Sequence, residues 1–203
     1  MKKDILRVHL VVLSLLLVIW LVPTNYNFLI WNLFLALVPF DLALIIRYLS
    51  GKKGQLLLKL GLTVVWLAFF PNAMYMVTDF SHLSSIGTGL MTETQFFNYA
   101  ILAVGVLMGL LFGLSSAHII GRVYGGVLSS TWTVVLSFVS AYGIYLGRFL
   151  RINSWELISA PHKVLTLFLT SLSSHSLVFV ISFGSLQFAL LVLYHMMRRI
   201  NTD

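Results

Sequence analysis

The chain has 203 residues, of which 59% are apolar and only 9% charged. Soluble domains carry roughly 25% charged residues, so an ordinary globular domain is excluded. The net charge of +7 comes from basic residues scattered at the ends of apolar stretches, with no contiguous patch or recognised module, which excludes nucleic acid as the partner. Cysteine is absent, removing disulfides, thiolate nucleophiles and Cys-type metal sites.

Six apolar stretches are long enough to cross a membrane as helices: residues 5–22, 28–49, 56–77, 96–120, 127–146 and 176–197. About 20 residues suffice for one crossing. The stretches are continuously apolar and lack the period-two alternation of a membrane β-barrel. The expected fold is therefore all-α, an integral membrane helical bundle of six transmembrane helices forming a single domain over residues 1–203. Lys2-Lys3 before the first stretch resembles the start of a signal peptide. Val22-Pro23-Thr24-Asn25 offers no small-x-small cleavage pattern, so a retained anchor is expected.

Lys and Arg accumulate in cytoplasmic loops. Placing both termini in the cytoplasm puts Arg47, Lys52, Lys53, Lys59, Arg122, Arg198 and Arg199 inside with the N-terminal Lys2, Lys3 and Arg7. Only Arg148, Arg151 and Lys163 remain outside, which reads as a multi-pass plasma-membrane protein. Trp20, Tyr26 and Trp31 then sit at outer helix ends, as interfacial aromatics do.

Along span two, Asp41 lies deep in the bilayer. It is a candidate coupling carboxylate or a partner for Arg122 or His118. His9, His118 and His195 read as interfacial. Span three holds Pro71-Asn72, a capped kink, and the series Asn72, Tyr75, Asp79 and His82. Its spacings of three, four and three put these residues on one face if the helix continues. Thr78 and Ser81 adjoin Asp79 and His82, but no nucleophile elbow surrounds them. Residues 78–95 form an external connection. Span four carries Gly105, Gly109 and Gly113 at four-residue steps, a stripe for close helix packing, with Ser137, Ser140, Ala141 and Gly143 in similar use on span five. No internal repeat supports an inverted-repeat transporter.

Span five ends in Gly147-Arg148-Phe149-Leu150-Arg151-Ile152-Asn153-Ser154-Trp155-Glu156. Two guanidiniums three apart suit a carboxylate or phosphate; they equally suit ion pairs with Asp79 and Glu156, with Lys163 available for the latter. Residues 164–197 are apolar for 34 positions, about 51 Å as one helix, against roughly 30 Å of hydrocarbon. A break is expected at Ser171–Ser176, leaving 164–170 as a short interfacial or re-entrant helix and His175 to serve the freed backbone.

The polar residues of these motifs converge, by this reading, on one outward-facing site of Asn32, Asn72, Tyr75, Asp79, His82, Arg148, Arg151, Asn153, Trp155 and Glu156. It suits binding or transport of a small anionic ligand. An outer-leaflet enzyme acting on a lipid headgroup, with Asp79 or His82 as base, and a structural or accessory protein are the alternatives. Asp79, His82, Glu156 and His162 could form an oxygen and nitrogen metal set, but the spacing matches no metal motif, and none is assigned. No cofactor is implied; the expected partners are membrane lipid and the anion.

The segments Trp31-Asn32-Leu33-Phe34-Leu35-Ala36, Phe70-Pro71-Asn72-Ala73-Met74-Tyr75 through Asp79 and His82, and Gly147 to Glu156 resemble an uncharacterised family of bacterial multi-pass membrane proteins, a domain of unknown function. Met74 stands where that family often has a second proline, so the kink geometry differs. The resemblance implies a bacterial polytopic membrane protein and carries over no activity.

Overall fold

The computed structural model describes residues 2–85, 90–125 and 130–200. Residues 86–89 of the expected external connection and 127–129 of the expected fifth span lie outside the described residues. Within them every regular element is a helix, with no strand.

The helices are α1 (Lys2–Leu21), α2 (Phe28–Ser50), α3 (Leu56–Tyr75), a 3-10 helix (Met76–Ser85), α4 (Glu93–Val123), α5 (Ser130–Leu150), α6 (Glu156–Ser159), α7 (Pro161–Thr170) and α8 (Ser174–Ile200). Six are long and apolar enough to cross a membrane, α3 counted with its 3-10 extension. The expected break before the last span falls between α7 and α8. Serines repair it: the Ser173 amide donates to Ser176 Oγ at 2.8 Å, and the Ser176 amide to Ser173 Oγ at 3.2 Å. His175 does not take the backbone role expected of it and sits instead against the rings of Tyr145 and Phe149.

Pro71 lies inside α3 without ending it, because Asn72 to Tyr75 continue the helix and only from Met76 does the chain tighten into 3-10 geometry. The condition for a shared face from Asn72 to His82, an α-helix continuing that far, is therefore not met. The glycine stripe of α4 is what admits the tightened segment. A Cβ on Gly109 would collide with Met76, and one on Gly113 would lie 2.7 Å from Met74 Sδ. A Cβ on Gly105 would lie 3.4 Å from Leu29 and 3.8 Å from Leu33 of α2. On the other side of α3, a Cβ on Gly143 of α5 would lie 2.9 Å from Pro71 Cγ, so α3 is pressed between two glycine-bearing helices.

Apolar burial forms two main clusters. One joins α1, α2, α4 and the 3-10 helix through Ile19, Leu29, Leu33, Met76, Leu102 and Val106. The other joins α2 to α5 and α8 through Ile46, Trp66, Phe70, Met74, Ile120 and Leu136. Contacts across the bundle define its two ends. Thr24, after α1, donates to Asn98 at the start of α4, and Trp31 near the start of α2 meets Trp155 beyond α5. At the opposite end Asp4 and Arg198 line one cavity, so α1 starts and α8 finishes on the same side.

Candidate functional site

The end holding the α2 start, the α3 exit and the α5 exit gathers most of the polar side chains singled out in the sequence. The 3-10 segment places Asp79 inward, 1% exposed, where Asn32 Nδ2 donates to its Oδ2 at 2.8 Å. Its Oδ1 is buried without a hydrogen-bond partner. Arg148 reaches back from α5: one guanidinium nitrogen donates to Tyr75 Oη at 3.1 Å, the other to Ser81 Oγ at 2.6 Å. Its guanidinium carbon lies 6.0 Å from the centre of the Tyr75 ring. Thus α5 is tied to both α3 and the 3-10 helix by one cation, through a serine whose sequence context gave no sign of that role.

The expected common face of Asn72, Tyr75, Asp79 and His82 is divided. Changing from 3.6 to 3.0 residues per turn after Tyr75 rotates later side chains away from earlier ones. Asn72 Nδ2 donates to Ser154 Oγ at 2.8 Å, rather than repairing the carbonyl freed by Pro71. Tyr75 faces Arg148, Asp79 faces Asn32, and the His82 ring packs on Phe28 at 4.5 Å. The His82 carbonyl accepts from the Tyr26 hydroxyl at 3.2 Å; Tyr26 is buried, not laid out at the interface.

After α5 the chain turns sharply. Arg151 adopts φ +56°, a left-handed conformation costly for a residue with a Cβ, and the Ile152 amide returns to the Leu146 carbonyl at 3.3 Å. The turn leaves Arg151 exposed. Glu156 closes the next step by accepting from the Asn153 backbone at 2.8 Å and from Lys163 Nζ. The Lys163 ammonium and the Asn153 amide together hold the Glu156 carboxyl below its usual range. Lys163, and neither arginine, is therefore the partner of Glu156. Trp155 stands edge-on to Trp31 with ring centres 6.2 Å apart.

Two cavities open here. A polar one of about 130 Å³ is lined by Trp31, Asn32, Leu35, Asn72, Tyr75, Gly147, Ile152 and Asn153. A larger one of about 330 Å³ runs between α3, α5 and α7, with Leu67, Pro71, Val139, Gly143, Val164 and Phe168 among its walls. They share Asn72, Tyr75, Gly147, Ile152 and Asn153, so a hydrophilic vestibule adjoins an apolar slot. The slot was invisible in the sequence, since it needs the Pro71–Gly143 approach and the fold-back of α7. Tyr142 Oη, bonded to the Phe168 carbonyl at 2.6 Å and to Ser171 Oγ at 2.7 Å, fastens α7 over α5.

The metal set weighed from sequence does not assemble. Among the described residues no three His, Cys, Asp or Glu side chains gather to hold an ion, with Asp79 facing Asn32 and Glu156 held by Lys163. Asp41 pairs with neither Arg122 nor His118. His9 Nε2 lies 3.1 Å from its Oδ1, while His9 Nδ1 contacts the Ile5 carbonyl at 2.9 Å. The carbonyl accepts only, so Nδ1 carries a proton. His118 and His195 face one another with ring centres 5.7 Å apart and their Nδ1 atoms buried, not spread at an interface.

Six membrane-length apolar helices, with charged and polar side chains gathered at both ends of the bundle, define a polytopic helical membrane protein. Residues 31–190 match the family described as "Protein of unknown function (DUF1361)". The chain belongs to that family, and the matched region begins at Trp31 and contains the motifs assembled at this end. No curated protein and no solved structure matches the chain.

Proposed function

We propose that this protein is a plasma-membrane binding protein whose polar end faces out of the cytoplasm and takes a small anion carrying an apolar part. The observation that supports this reading most is the union of vestibule and slot. A volume of about 330 Å³ lies within the roughly 300–1,000 Å³ of small-molecule sites, which are apolar pockets with few polar groups. Asn72, Asn153 and Tyr75 supply hydrogen bonds at the junction; Arg148, bonded to Tyr75, and the exposed Arg151 supply positive charge beside it. The basic residues at the opposite end favour a cytoplasmic location for both termini.

Binding has more support than passage. Trp66, Phe70 and Met74 are buried without exposure in the core below, and Asp41 lines neither cavity. An enzymatic reading has less support, because the two candidate bases are turned to different partners, Asp79 to the Asn32 amide and His82 to the Phe28 ring. A purely structural role predicts fully paired charges and no cavity, and Arg151 has no ion pair among the described residues.

The test uses purified protein and a fatty acid bearing a photoreactive diazirine in its chain. Label is expected on α3, α5 and α7 around Ala68, Val139 and Phe168. Ala68→Trp should abolish it by filling the slot. Arg148→Gln with Arg151→Gln should weaken capture by roughly tenfold or more, as loss of charged hydrogen bonds does. Label spread evenly over all lipid-facing helices, indifferent to Ala68→Trp, would overturn the proposal.

A further inference from the structure

A larger cavity lies at the other end of the bundle. It has a volume of about 750 Å³, over twice the slot. Four helices each contribute a cation: Arg47 from α2, Lys59 from α3, Arg122 from α4 and Arg198 from α8. The acidic side chain lining it is Asp4, which already accepts from Arg7 at 3.2 Å. Four cations against one carboxylate leave an excess of three positive charges, counting His118 as neutral.

Topology accounts for the sign of these residues and not for their arrangement. Cations that only obey the positive-inside bias stay apart in water, as Lys53 does on the exposed α2–α3 connection. These four line one half-open cavity, with Lys59 partly buried and the three arginines reaching water. The wall between them is mixed: Val8, Phe40, Leu44 and Ile119 are apolar, whereas Ser115 and Tyr194, hydrogen-bonded to each other at 2.9 Å, and His118 are polar. Lys59 is partly engaged over the Tyr124 ring at 5.2 Å, and Arg47 and Arg198 have contacts of their own.

We infer that this cavity binds a phosphate-class anion, either the headgroup of an anionic phospholipid or a free phosphate. Guanidinium groups match phosphate oxygens with paired N–H donors, and an ammonium adds a point charge. Like charges held together repel, so a dianionic or monoanionic oxyanion among them relieves a cost that water relieves only partly. The apolar wall accommodates a glycerol and the first carbons of a chain. This site is distinct from the one proposed above, being at the opposite end and sharing no residue with it.

Full-length protein in detergent, offered phosphatidylglycerol, phosphatidylcholine or inorganic phosphate, provides the test. Native mass spectrometry reads the lipids and calorimetry reads the phosphate. Preferential retention of phosphatidylglycerol over phosphatidylcholine assigns the headgroup, and binding of inorganic phosphate assigns a soluble anion; either supports the inference. Arg122→Gln should lower the apparent affinity by roughly tenfold, and adding Arg198→Gln should lower it further. Lys53→Gln, removing the same charge outside the cavity, should leave it unchanged. Should Arg122→Gln fail to fold, Arg198→Gln alone, in the exposed last turn of α8, carries the comparison. Absence of phosphate binding together with either no retention of phosphatidylglycerol or equal retention of the two lipids, or an equal loss in Lys53→Gln, would overturn it.

Discussion

Replacing Asn32 with Leu removes the donor facing Asp79 and keeps the volume of the side chain. The bond lost is 2.8 Å long, and the carboxyl group it serves is 1% exposed with its other oxygen already lacking a partner. A buried acceptor left unsatisfied costs about 1–3 kcal/mol. For a chain of this size that corresponds to a fall in Tm of roughly 2–12 °C. Asp79→Leu alone should also destabilise, because it strands the Asn32 amide. The double variant Asn32→Leu with Asp79→Leu should recover most of the loss, since apolar groups of similar shape in place of both partners are close to neutral. Thermal unfolding of the purified protein in one detergent, followed by tryptophan fluorescence for all four forms, gives the coupling directly. If the double variant is as unstable as the sum of the singles, the pair is not what holds the 3-10 segment on α2.

Gly109→Ala should destabilise by about 1–3 kcal/mol through overpacking against Met76, and Met76→Ala in the same chain should restore part of it in the same melt. The Glu156 carboxyl has a depressed folded-state pKa, so its contribution is complete above the ordinary value of 4.5 and is lost as pH falls through the depressed one. Hydrogen exchange of α6 and α7 in wild type and Glu156→Gln should therefore differ at neutral pH and converge in acid. Because the chain has no cysteine, a single introduced one reports topology cleanly. A membrane-impermeant maleimide should label Arg151→Cys in intact cells and Lys53→Cys only after permeabilisation, and the reverse pattern would invert the proposed orientation.

Spans, break and glycine stripe were legible because each is a property of a contiguous segment: apolar length, a serine run, a four-residue step. The rotation of one helix against another is not such a property. Asp41 offered no means of choosing His9 from α1 over His118 from α4, since both lie at compatible depth. The face from Asn72 to His82 failed for a related reason, as the spacing holds only while the winding does, and Met76 entering the Gly109 gap is a contact between distant segments. Arg148 was legible as a cation in an unusual place, whereas its hold on Ser81 depended on the tightened winding. The basic cavity was hidden by a sufficient explanation, because charge bias between leaflets already accounted for Arg47, Lys59, Arg122 and Arg198 singly.

The ten-residue 3-10 segment, Met76–Ser85, is long for a conformation uncommon beyond 3–4 residues. It rises about 2.0 Å per residue, against 1.5 Å for an α-helix, so rewinding it would draw its far end inward by roughly 5 Å, close to one full turn. Three hooks oppose that retraction: Asn32 on Asp79, Arg148 on Ser81, and Tyr26 on the His82 carbonyl. The segment is in effect a drawn spring with three latches, and Asn32 is the latch that lines the vestibule.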